Sequence, residues 1–145
     1  VMDVLEEKRV VQVGTFNGNP LTMAASRVTL LEILDAKAYA HFDALAETLQ
    51  GGLDGVIHEH ELPFHVITLG ARGGLTYRAQ RVRNYRDYLE IDKSLAYLSW
   101  LYQCNRGVIM APGAEENWTL SVQHSVEDVQ HYVDNFAELA KDLRS

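Results

Sequence analysis

Apolar and polar positions along the chain fall into stretches of clear period. From Pro20 the apolar residues Leu21, Ala24, Ala25, Val28, Leu31 and Leu34 recur at helical spacing. Asp35 is suited to cap a second helix carrying Ala38, Phe42, Leu45, Leu49 and Leu53. Gly51-Gly52 and Gly55 should weaken the last turns of that helix. Phe64-His65-Val66-Ile67-Thr68-Leu69 has strand character, and Gly70 with Gly73-Gly74 reads as the turn of a hairpin returning through Leu75-Thr76-Tyr77. Residues 79–91 show no period and read as a loop. Asp92 to Arg106 reads as an amphipathic helix with Leu95, Leu98, Leu101 and Tyr102 as its apolar face, stopped by Gly107. Trp118 to Gln123 is a last strand, and Ser125 with Asp128 starts a terminal helix to Arg144. At the other end, residues 1–9 read as the tail of a helix and 10–13 as a short strand. This order predicts an α+β fold, a small antiparallel sheet covered by helices on one face.

Between the first strand and the helix at Pro20 lies Gly14-Thr15-Phe16-Asn17-Gly18-Asn19-Pro20. Its glycines free the backbone to turn, Asn19 suits a helix N-cap, and Pro20 suits the first helical position. Thr15 sets a hydroxyl beside exposed amides, a combination that can converge on an anion. These seven residues are compatible with a phosphate seat and with an ordinary strand-to-helix connection.

The segment GTFNGNPLTMAASRVTLLEIL resembles the start of the C-terminal small domain of class III, pyridoxal-phosphate-dependent aminotransferases. That family carries Gly-Thr-(Phe/Tyr/Leu)-(Asn/Ser)-Gly-Asn-Pro ahead of a helix rich in Met and Ala. About a hundred residues on, NRGVIMAPGAEENWTLSVQHSVEDV is similar to the glutamate-1-semialdehyde aminomutase branch, with Arg-Gly-Val, Ala-Pro, Ser-x-x-His and Glu-Asp in the same order. The resemblance spans nearly the whole chain. It implies the small domain of a fold-type I enzyme in residues 20–145, with 1–19 as a connecting segment from a large domain that the chain lacks. It implies that Gly14 and Thr15 contact the phosphate of pyridoxal 5'-phosphate bound by a neighbouring subunit, hence a homodimer. The family's Schiff-base lysine stands some tens of positions before its Gly-Thr motif. None of Lys8, Lys37, Lys93 and Lys141 lies in the Gly-rich stretch that precedes that lysine. The chain alone is therefore expected not to transaminate.

Glu116 aligns with a glutamate at the mouth of the active site in the aminomutase-like branch. The family's Pro-Ser-(Gln)-Phe-Glu is here Pro112-Gly113-Ala114-Glu115-Glu116, with the serine and aromatic positions changed. Glu116 is thus a candidate substrate contact or part of a solvated acidic loop. A non-catalytic binding or dimerisation module derived from the same fold is the alternative reading of the whole chain.

Composition narrows the rest. The 145 residues make one domain's length, with 47% hydrophobic and 23% charged residues, near the average of globular proteins. A formal charge of −7 argues against nucleic acid as partner. The sequence has no run of about 18 apolar residues, so no membrane span is expected. A lone cysteine, Cys104, fits a reducing cytoplasm and is expected to be buried and inert. The opening Val1-Met2-Asp3-Val4-Leu5 reads as the middle of a helix end, so a piece of a longer chain is expected, associating through helix 20–34 and the N-terminal segment. His58, His60 and His65 offer His-x-His spacing on a strand face, but nothing nearby completes a metal site. Arg78, Arg81, Arg83 and Arg86, interleaved with Tyr77, Tyr85 and Tyr88, suggest an interface or a salt-bridged loop, and His124 a structural role at a strand end.

Overall fold

The computed structural model describes residues 3–7, 9–10, 14–111 and 117–144. They fall into two compact units, 1–35 and 36–145.

In the first unit, α1 (Asp3–Glu6) is a single turn and α2 (Pro20–Val28) continues into a π-helical turn, Thr29–Ile33. Asn19 caps α2, its side chain accepting from the Thr22 amide at 2.9 Å, and Pro20 opens the helix. None of these elements buries a residue, and Leu21, Met23, Leu30 and Leu31 are all exposed. Most of the strand expected at 10–13 lies outside the described residues. Val10 itself sits in a bend.

The second unit begins with α3 (Ala36–Glu59), which buries Ala38, Phe42, Leu45, Leu49, Leu53 and Val56 along one stripe. The helix continues through Gly51, Gly52 and Gly55 to Glu59, although those glycines were expected to weaken its last turns. The strands β1 (His65–Leu69) and β2 (Arg72–Thr76) form a hairpin, and β3 (Asn117–Thr119) completes an antiparallel sheet in the order β1-β2-β3. Gly73 and Gly74 therefore lie inside a strand, not in the hairpin turn, which is made at Gly70-Ala71. Gly73 pairs with Trp118, and a Cβ there would stand 2.6 Å from the indole Cε2 and 2.7 Å from the Ile67 carbonyl oxygen. Only glycine lets the indole lie across the middle strand. The last strand is shorter than expected, because Ser121 and His124 fold into a turn held by the His124 ring.

The segment expected to be loop contains one helical turn, α4 (Tyr85–Tyr88), capped by Asn84. In α5 (Lys93–Cys104), capped by Asp92, the buried side is Ala96, Ser99 and Gln103. Leu98 and Leu101, expected on the core face, are exposed. The polar side is turned inward because α6 (Val126–Arg144) meets it with Asn135, whose Nδ2 donates to Gln103 Oε1 at 3.0 Å. The Ser125 hydroxyl caps α6 from the Asp128 amide, and Asp128 bonds back to the Ser125 amide at 2.8 Å, the reciprocal box that the sequence signals.

The core lies between α3, α6 and one face of the sheet. Phe136, Leu45 and Leu53 are fully buried, and Phe64 packs edge-on to Tyr77 with centroids 4.9 Å apart. Thr68 on this face donates to Gln50 of α3. The opposite face carries Ile67, Leu69 and Gly74, and within the second unit Tyr88 of the short α4 borders it.

Candidate functional site

The Gly14–Pro20 turn belongs to the first unit and is built by its own side chains. The Asn17 amide donates to the Gly14 carbonyl at 3.1 Å, and the Asn17 side chain folds over Gly14 so closely that a Cβ there would stand 2.6 Å from Cγ. Gly18 takes a positive φ of 69°, the left-handed region that glycine enters without steric cost. Asn19 then ties the exit: its Nδ2 donates to the Phe16 carbonyl at 2.9 Å and to Thr22 Oγ1 at 2.6 Å. Thr15 stands at the tip, exposed, and among the described residues neither its amide nor its hydroxyl has a hydrogen-bond partner. No acidic residue occurs between Gly14 and Leu31. A pair of free donors in a fixed turn, away from carboxylates, is chemically suited to an anion.

The other expected site residue, Glu116, lies outside the described residues, together with 112–115. Its neighbour Asn117 opens β3.

The histidines hold structure. His58 and His60 sit at the end of α3 and just beyond it, not on a strand face as expected, and the His60 carbonyl accepts from Arg144. His65 on β1 donates from Nδ1 to the Arg78 carbonyl at 2.9 Å, while its Nε2 accepts from the Val82 amide at 3.4 Å. Among the described residues no group of three His, Cys, Asp or Glu side chains could hold a metal ion. His124 Nδ1 accepts from the Ser121 amide at 2.9 Å, and its carbonyl accepts from His41 Nε2 on α3 at 2.9 Å. Cys104 is half-buried on α5.

Of the arginines, Arg78 is the salt-bridged one, 2.7 Å from Glu90 and 3.7 Å from Asp87. Arg81, Arg83 and Arg86 are exposed and make no ion pair among the described residues. Gly74 of β2 faces the other side of the sheet, where it helps line a hollow that the sequence concealed because Gly73-Gly74 reads as a turn.

No family model matches the chain. Single relatives do. The glutamate-1-semialdehyde 2,1-aminomutase 2 of Halalkalibacterium halodurans is 30% identical over 135 residues, 93% of this chain and 31% of that protein. The aminomutase 1 of Macrococcus caseolyticus is 31% identical over 127 residues, 88% of this chain and 30% of that protein. The chain is a homologue of the glutamate-1-semialdehyde 2,1-aminomutases. It spans about a third of the length of the curated relatives it matches. Solved structures agree: a glutamate-1-semialdehyde aminomutase from Pseudomonas aeruginosa PAO1 superposes with a TM-score of 0.81 at 28% identity, over 98% of this chain and 33% of that one. A lysine-to-alanine variant of the Pseudomonas enzyme has been solved in complex with PMP, with the same match to this chain. An omega-transaminase from Sphaerobacter thermophilus matches with a TM-score of 0.75 at 25% identity, over 94% of this chain and 31% of that one. The α+β fold, with its three-stranded antiparallel sheet, is thus that of one part of an aminotransferase. Among the described residues no helix is long and apolar enough to cross a membrane.

Proposed function

We propose that the chain is the C-terminal small-domain part of a class III aminotransferase or aminomutase that uses pyridoxal 5'-phosphate, and that it is not catalytic alone. In this reading the Gly14–Pro20 turn offers the Thr15 amide and hydroxyl to the cofactor phosphate of a neighbouring subunit in a cytoplasmic homodimer. Residues 20–145 help to close the active site, and Glu116 reaches the substrate at its mouth.

The observation that carries this proposal is the turn's internal hydrogen bonding. The Asn17 amide bonds back to the Gly14 carbonyl and Asn19 and Thr22 bond each other, which fixes the backbone, while both Thr15 donors stay uncommitted among the described residues. A phosphate needs short bonds from donors that are already in place, and the absence of carboxylates from Gly14 to Leu31 spares it repulsion. When bound, pyridoxal phosphate supplies the electron sink that amino-group transfer requires. This chain's residues would hold its phosphate only. The covalent lysine and the partner of the pyridine nitrogen are assigned to a large domain outside residues 1–145.

The test is cofactor retention in the complete enzyme. Thr15→Ala removes a hydrogen bond to a charged group and should weaken retention by roughly tenfold to a hundredfold. Loss of cofactor absorbance on dialysis reads the effect, and Thr15→Ser, which keeps the hydroxyl, should restore most of it. Retention unchanged in Thr15→Ala overturns the assignment.

A further inference from the structure

The face of the sheet turned away from α3 and α6 carries a hollow of about 480 Å³. Its floor is Ile67 and Leu69 of β1 with Gly74 of β2, and its far wall is Val82, Tyr88 and Ile91 from the segment that crosses back over the sheet. Gly74 pairs with Ile67 on one side and Asn117 on the other, and it brings no side chain to the floor. The lining is mainly apolar, with Arg72 and Asn117 as polar groups at its margin. Pockets for small ligands have this size and this mixture of an apolar lining with a few polar groups.

Part of its rim is basic, although Asp87, Glu90 and Asp92 flank the wall residues Tyr88 and Ile91. Arg72, Arg78, Arg81, Arg83 and Arg86 fall in a stretch without a single acidic residue, within a chain of net charge −7. Arg78 is neutralised by Asp87 and Glu90. Arg72 is exposed and has no ion-pair partner among the described residues, and it stands opposite Leu69 on the hollow's own face. Arg81 and Arg83 flank Val82, also without an ion pair there. An anion repelled by most of this surface is drawn to that rim.

We propose that this hollow binds a small organic anion with an apolar body, such as an aryl or branched alkyl carboxylate. The body fills the space above Gly74 and the carboxylate meets Arg72. The site uses no residue of the Gly14–Pro20 turn and needs no cofactor, so its failure leaves the reading of that turn untouched.

The test is a nuclear magnetic resonance titration of the 145-residue chain with 3-phenylpropionate, and with the uncharged 3-phenylpropan-1-ol as control. Saturable shifts are expected at Gly74, Val82 and Asn117. The carboxylate should bind about threefold to fivefold more tightly than the alcohol, the effect of one exposed ion pair. Arg72→Gln, a change at an exposed side chain, should abolish that preference while the alcohol still binds. Gly74→Val should exclude both ligands, and Val82→Glu, outside the sheet, should selectively weaken the carboxylate. Shifts that do not saturate, shifts centred on the exposed leucines of α2 or α5, or a carboxylate preference surviving in Arg72→Gln would each overturn the proposal.

Discussion

Gly52 of α3 lies directly against Val133 of α6. A Cβ built on Gly52 would stand 2.8 Å from Val133 Cγ1 and 2.9 Å from Cγ2, and Val133 is buried. At Gly51 and Gly55, by contrast, a Cβ would meet no atom within 4 Å beyond its chain neighbours and the helix's own backbone. Three glycines in one helix thus do opposite things. Gly52→Ala should destabilise the second unit by about 1–3 kcal/mol through overpacking. Gly51→Ala and Gly55→Ala should each stabilise it by about 0.5–1 kcal/mol through helix propensity. Denaturant unfolding of the three variants checks both signs.

Gln103 and Asn135 form a polar contact within the buried seam of α5 and α6. Gln103 donates to the Tyr132 carbonyl and accepts from Asn135, each at 3.0 Å, with Gln103 fully enclosed. Asn135→Ala strands the Gln103 oxygen and should cost about 1–3 kcal/mol. A double-mutant cycle with Gln103→Met should return a coupling of about 0.5–3 kcal/mol. Additive costs would show that the pair acts independently.

Stability on the acid side should depend on Asp128. Its carboxyl is held below the usual carboxylate range by the Ser125 amide first, then by the Ser125 hydroxyl, despite a small opposing effect of desolvation. A folded-state pKa below the unfolded one contributes stability that is complete above the unfolded value and is lost as pH falls through the folded value. The Ser125 amide still donates in Ser125→Ala, so that variant should move the carboxyl only part of the way back. Titration followed by side-chain carboxyl resonances reads that movement, and thermal scans below pH 5 should show a correspondingly shallower loss.

The apolar side of the first unit should drive association. Leu21 is 81% exposed and Leu31 68% exposed, and no residue of α2 is buried. Sedimentation over a wide concentration range should show self-association that Leu31→Glu weakens, since a carboxylate in an apolar contact must be desolvated. A monomer at every concentration would count against it.

What could be read from the sequence was what short-range chemistry decides. The Asn19 cap with Pro20, and the Ser125–Asp128 box, involve residues three apart and appear as expected. The face of α5 was misread because apolar period points to Leu98 and Leu101, whereas the helix buries Ala96, Ser99 and Gln103. A polar residue turns inward only when a partner awaits it, and Asn135 is 32 positions away. The glycines of β2 were misread for a similar reason: the Trp118 ring that demands Gly73 comes from another strand. For the candidate site, the geometry of the turn at Thr15 was legible, but any phosphate it meets is not encoded within those seven residues.

The two long helices of the second unit carry a mechanical consequence. His41 meets the His124 carbonyl, Gly52 meets Val133, and Arg144 meets the His60 carbonyl, so contacts advance along α3 and α6 in the same direction and the helices run parallel. The unit's entry at Ala36 and its exit at Arg144 therefore lie at opposite ends of the pair, separated by about the length of α3, roughly 30–36 Å at 1.5 Å per residue. Tension applied through those ends would load the helix seam in shear along its whole length instead of unzipping it turn by turn. Joining the ends to permute the unit circularly would take a linker of about ten residues or more.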